Sequence, residues 1–91
     1  MTSTSGFEFQ NLEHDVYPNP VSDILYIEVA DLPFGFVFKA YGVLGKEMLT
    51  GESSSNTFQI DMSSVVEGIY FYKILDKNNI VANGKLQKIS H

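Results

Sequence analysis

The sequence predicts an all-β chain folded as an antiparallel sandwich of about seven short strands. Three observations carry that expectation. Apolar residues recur with period two, the period of a strand covered on one face, and nowhere with the 3.6-residue period of a helix. Clusters of Gly, Pro, Asn, Asp and Ser separate the apolar runs at regular spacing. One run, Gly68-Ile69-Tyr70-Phe71-Tyr72-Lys73-Ile74-Leu75, is apolar at nearly every position and rich in aromatic and β-branched residues, the composition of a central strand.

That central strand has two faces. Tyr70, Tyr72 and Ile74 share one; Ile69, Phe71, Lys73 and Leu75 share the other. Lys73 marks its own face as reaching water, so the tyrosine face is expected to meet the core. The Gly-x-Tyr opening also resembles a tyrosine corner, in which a Tyr at the start of a late strand turns its hydroxyl onto upstream backbone.

The other elements follow in order. Phe7 and Phe9 alternate with polar residues and suggest a short edge strand or a docked linker within residues 1–15, taken as a poorly ordered leader before a domain at 16–91. Val16-Tyr17-Pro18-Asn19-Pro20 admits no helix and no central strand, because two prolines fix φ and remove two donors; it reads as an edge segment and turn. Asp23–Val29 alternates, with Leu25, Ile27 and Val29 on one face. Phe36–Tyr41 is a strand with Phe38 and Ala40 inward and Lys39 outward. Gly42–Lys46 is a hairpin connection whose two glycines permit positive φ. Glu47–Thr50 is a short strand presenting Met48, and Gly51–Asn56 a loop. Thr57–Met62 alternates with Phe58, Ile60 and Met62 inward. Asp61–Val65 is a side-chain-capped turn. Asp76–Asn79 turns the chain back into Ile80–Ala82 and Gly84–Ile89, read as one last strand with a bulge at Gly84. The sum is a Greek-key sandwich of immunoglobulin or fibronectin-III type.

Composition narrows the function classes. Ninety-one residues make one small domain without room for a second core. There is no Cys, hence no disulfide framework or thiolate metal site. Six lysines, no arginine and eleven acids leave a net charge of −5, the opposite of a nucleic-acid-binding surface. No run is long and apolar enough to span a membrane, so direct membrane insertion is not expected. Met1–Gly6 has neither the basic nor the apolar region of a signal peptide. A complete small protein and a piece of a larger one both fit that beginning.

No constellation for catalysis is evident, and no cofactor or metal is expected. Catalysis needs a nucleophile beside a base, paired carboxylates or a metal cluster. The two histidines are His14, in the leader, and His91, the last residue; both are expected to be mobile surface groups. Asp23, Asp31, Asp61 and Asp76 sit at strand ends and turns, where capping accounts for them. The serine runs lack a basic partner, and no loop supplies the alternating oxygens of a calcium site. The chain reads as a non-enzyme. A sugar-binding sandwich would display aromatics; there is no Trp, and Tyr26, Tyr41 and Phe36 are the candidates.

Four blocks together resemble the C-terminal sorting domains of the type IX (Por) secretion system of Bacteroidetes, type A. Val16-Tyr17-Pro18-Asn19-Pro20 followed by Asp23–Ile27 is similar to the family's Tyr-Pro-Asn-Pro opening and first long strand. Tyr41-Gly42-Val43-Leu44-Gly45-Lys46-Glu47 is similar to its Tyr-Asp-x-x-Gly-Lys segment, with Gly42 departing from the usual Asp or Asn. Ile60–Tyr70 resembles its Ile-Asp-Leu-Ser-x-Leu-x-x-Gly-x-Tyr block, and Gly84–Ile89 its closing Gly-Lys-φ-x-Lys segment, with φ apolar.

The resemblance implies a non-catalytic sorting signal carried behind an N-terminal passenger protein. It implies passage through the periplasm to the cell surface or beyond. Its partners would be the outer-membrane machinery and, in many members, a sortase-like peptidase. A monomer is expected. The residues it suggests for recognition are Tyr17, Pro18, Asn19 and Pro20 in the opening block, Gly68 and Tyr70 in the third, and Gly84, Lys85, Leu86 and Lys88 in the last. One physical route would be strand addition at an edge of residues 84–89, with Lys85 and Lys88 adding charge selectivity. A structural or adhesive module, or a sugar-binding one, is the alternative.

Overall fold

In the computed structural model, which describes residues 11–90, seven strands form two antiparallel sheets. They are β1 (Asp15–Tyr17), β2 (Ile24–Glu28), β3 (Phe36–Tyr41), β4 (Glu47–Ser53), β5 (Thr57–Asp61), β6 (Gly68–Asp76) and β7 (Asn79–Lys88). The first sheet has the order β1-β2-β5 and the second β4-β3-β6-β7. Because β3 pairs with β6 rather than with its sequence neighbour β2, the chain crosses between layers after β2, β4 and β5. This is the Greek-key sandwich that the strand spacing predicts.

Alternation decides which side chains meet between the layers. Leu25 and Ile27 from β2, Phe36, Phe38 and Ala40 from β3, Tyr70, Tyr72 and Ile74 from β6, and Ala82 and Leu86 from β7 form one buried cluster. Val21, Val29, Leu32 and Met62 close it at the strand ends, with Phe58, Ile60 and Val65 packed against it. The tyrosine face of β6 is therefore the core face, and Ile69 and Phe71 are exposed. Tyr70 donates its hydroxyl proton to the carbonyl of Val66 at 2.5 Å, the upstream backbone bond expected of a tyrosine corner. The Ser63 N–H donates to Asp61 Oδ1 at 2.9 Å, capping the turn before β6 as its composition predicts.

Three details differ from the sequence reading. β4 runs on through Gly51 to Ser53, where the glycine had suggested a loop. A Cβ at Gly51 would lie 2.4 Å from the Phe58 ring, so the missing side chain makes room for that ring across the layers. The irregularity in β7 lies at Val81, opposite the Ile74–Leu75 step, and not at Gly84, which pairs regularly with Tyr72. Of the two hairpin glycines only Gly45 takes positive φ, at 87°. The strand suggested at Phe7–Phe9 lies outside the described residues.

Candidate functional site

Three of the four blocks that carry the sequence resemblance converge on one corner of the sandwich. Gly68 pairs with Lys88 and Tyr70 with Leu86 in the β6–β7 ladder. The Tyr17–Pro20 segment leaves β1 and lies along the other side of β7. Prolines cannot donate to a ladder, and both the Tyr17–Pro18 and Asn19–Pro20 peptide bonds are cis. The side chain of the residue between them makes the ladder bonds instead. Asn19 Nδ2–H donates to the Lys85 carbonyl at 3.0 Å, and Asn19 Oδ1 accepts from the Gln87 N–H at 3.0 Å.

Two residues later the backbone itself takes over. The Val21 N–H donates to the Gln87 carbonyl, and the Val21 carbonyl accepts from the Ile89 N–H, both at 2.9 Å, in a parallel bridge to Lys88. Further up β7 the same side is met by residues that precede β1. The Leu12 N–H donates to the Val81 carbonyl at 2.8 Å, and Asn11 Oδ1 accepts from the Asn83 N–H at 3.0 Å. Val81, Asn83, Lys85, Gln87 and Ile89 thus all have partners on the side of β7 that faces away from β6.

This corrects the expectation of an open edge at residues 84–89: the edge is occupied by the chain's own amino-terminal half. It also corrects the pairing of the two lysines. Lys88 shares the inward parity of Leu86 and is 5% exposed, whereas Lys85 is on the outer face and exposed. They cannot present one charged surface. Of the remaining residues singled out by the sequence, Tyr17, Pro18, Asn19, Pro20 and Gly68 are exposed, and Tyr70 and Leu86 are buried.

His14 is a second correction. Read as mobile surface, it is instead fixed at both ring nitrogens: Nδ1 lies 2.7 Å from the Leu12 carbonyl and Nε2 lies 2.8 Å from the Tyr72 hydroxyl. The Leu12 carbonyl can only accept, so Nδ1 is the donor of the first bond. Burial pushes the Tyr72 hydroxyl above its ordinary pKa, because a phenolate there would lose its hydration. The Tyr72 ring stacks on Phe38 with centroids 5.6 Å apart and reaches over Gly84, where a Cβ would lie 2.4 Å from its hydroxyl oxygen. Gly84 is glycine because Tyr72 passes there.

Asn11, Leu12 and His14 were missed by the sequence reading. No local signal marks them, since their partners lie 58 to 72 residues away. Among the described residues no group of three His, Asp or Glu side chains is placed to hold a metal ion. No helix of the structure is long and apolar enough to cross a membrane.

A two-layer β-sandwich whose carboxy-terminal strand is locked by its amino-terminal segment defines the class: a small all-β module held together by long-range edge contacts. A family model described as "Secretion system C-terminal sorting domain" matches residues 15–88, and the chain belongs to that family. Domains of this family are C-terminal sorting signals for type IX secretion, directing export toward the cell surface or the extracellular space, and the family is not a catalytic one. Among curated proteins, none matches the chain.

Proposed function

We propose that this domain travels as a folded module behind a passenger protein. It crosses the periplasm and is read at the outer membrane by the type IX machinery of a Bacteroidetes cell as a type A signal. A sortase-like peptidase then removes it, cutting within residues 1–15. The domain in this reading spans residues 16–91 behind a leader at 1–15, of which Asn11 and Leu12 bond to β7.

The observation that carries the reading is the convergence of the family's blocks. Tyr17–Pro20, Gly68–Tyr70 and Gly84–Lys88 lie far apart in sequence and interlock at one corner. A signal written across three such segments is present only when the domain is folded, which supports recognition of the folded state. Within the corner the proposed roles divide by exposure. Tyr17, Pro18, Pro20, Gly68 and Lys85 are available for contact, with Asn19 half committed to β7. Tyr70, Gly84, Leu86 and Lys88 support the shape from within.

Fusing residues 1–91 behind a signal peptide and a fluorescent protein tests the reading. In a strain with a working type IX system the reporter should reach the surface or medium, and in a strain lacking the system it should stay in the periplasm. Retention in both strains would sink the proposal. Lys85→Ala and Lys88→Ala, made separately, divide contact from support: the first should lower export without altering stability, the second should lower stability itself.

A further inference from the structure

The two outer faces of the sandwich differ in charge. All six lysines lie on strands or turns of the four-stranded sheet: Lys39, Lys46, Lys73, Lys77 and Lys85, together with the inward-turned Lys88. Two of them meet partners from their own sheet. Lys39 Nζ is 3.3 Å from Glu47 Oε1, and Lys73 Nζ sits 4.9 Å above the centre of the Tyr41 ring.

The three-stranded sheet carries no base at all. Its outward positions, set by alternation with the buried Leu25 and Ile27, fall into rows across the strands. Tyr17, Tyr26 and Gln59 form one row, and Asp15, Glu28 and Thr57 the next. Tyr17 and Tyr26 stack with centroids 5.5 Å apart and planes 18° from parallel. They remain 50% and 37% exposed. The pair borders a cleft of about 640 Å³ walled on its other side by Glu52 and the Ser53–Ser55 turn, with Glu28 and Gln59 in between.

Exposed aromatic rings beside carboxylates, with no cation of the chain's own on that sheet, form half of a cation–π site. The other sheet shows the completed version, Lys73 over Tyr41. We infer that the outer face of the three-stranded sheet is a docking surface for a basic segment of a partner protein. An arginine of that segment would stack on the Tyr17–Tyr26 pair, with Glu28 and Glu52 receiving its charge. Arginine suits the place because its planar guanidinium can stack on a ring and hydrogen-bond to a carboxylate at once. A sugar fits less well: a neutral pyranose would leave the carboxylates of Glu28 and Glu52 beside the rings without a counter-charge. The identity of the partner as part of the export machinery rests on the sorting reading; the chemistry of the surface does not.

Titrating the ¹⁵N-labelled 91-residue chain with a peptide alternating arginine and threonine tests the surface directly. Amide shifts should concentrate at Tyr17, Tyr26, Glu28, Glu52 and Gln59. Tyr26→Leu, which keeps an apolar cover on β2, should weaken binding about 10-fold, and Asp76→Asn on the other sheet should leave it unchanged. Shifts spread over the acids of both sheets would overturn the inference, as would full binding by Tyr26→Leu or a response only to a neutral oligosaccharide. In the fluorescent fusion, Tyr26→Leu combined with Glu28→Lys should reduce export at least severalfold. Peptide binding with unaltered export of that variant would overturn the assignment of the partner to sorting. Failure of the unaltered fusion to be exported would instead strike the sorting reading, and the titration would still decide the surface.

Discussion

The two lateral edges of the four-stranded sheet have been treated in opposite ways. On β7 a run of main-chain groups from Val81 to Ile89 is covered by Asn11, Leu12, Asn19 and Val21. On β4 the backbone pairs with β3 on one side, and among the described residues none bonds positions 47–52 on the other. An uncovered edge is a template for adventitious pairing. β4 answers with a register shift beside Ala40 and Tyr41 and with acidic residues, Glu47 and Glu52, rather than with a cover. The difference teaches what the Tyr-Pro-Asn-Pro segment does physically. It seals the side of β7 that faces away from β6.

The comparison can be broken first from within. Leu86 anchors β7 with no exposure, so Leu86→Ala should cost about 2–5 kcal/mol in urea unfolding. That loss should abolish export through loss of the fold. Gly84→Ala should cost about 2 kcal/mol, because the Tyr72 ring must move to admit a methyl group. Most of that cost should vanish in a Tyr72→Leu background, as a double-mutant cycle would reveal; an unchanged cost would mean the strand itself requires glycine.

Asn19→Ala sharpens the contrast between the edges. Two hydrogen bonds to β7 are lost, at a cost of about 1–2 kcal/mol, and exchange of the Gln87 amide proton should accelerate. Thr50→Ala on the bare edge should change stability by less than about 0.5 kcal/mol. Equal effects at the two positions would erase the distinction. The smallest effect concerns pH. The Ser63 N–H, and after it the Ser63 hydroxyl, hold Asp61 below its ordinary pKa of 3.8. A lowered folded-state value means a contribution fully present above the ordinary pKa and lost as pH falls through the lowered one. The stability difference between the wild-type chain and Asp61→Asn should therefore be constant near neutrality and shrink in acid below about pH 4.

Much of this was legible in the sequence because it is local. Period-two alternation placed Leu25, Ile27, Phe38 and the three inward residues of β6, and turn chemistry placed the Asp61–Ser63 cap. The inward turn of Lys88 was equally legible. It lies two residues after Leu86 and so on the same face, whereas the charge of Lys85 and Lys88 alone suggests a pair. Gly51 and Gly84 suggest a loop and a bulge, common uses of glycine near a strand. Both are in fact sites where an aromatic ring from another strand passes overhead, which spacing along one strand cannot reveal.

By itself the sequence determined the seven strands, the faces they bury, the class of fold and, through four blocks in order, the family. Those are matters of periodicity and of residue types at short range, where each side chain constrains its neighbours. Only the tertiary structure decided that residues 11–21 close the edge of residues 81–89, that His14 is held by Tyr72, and that every lysine lies on one sheet. Each of these depends on which segments lie side by side once the Greek key has closed. That arrangement follows from the joint burial of one core from both layers, and no stretch of the chain contains it alone.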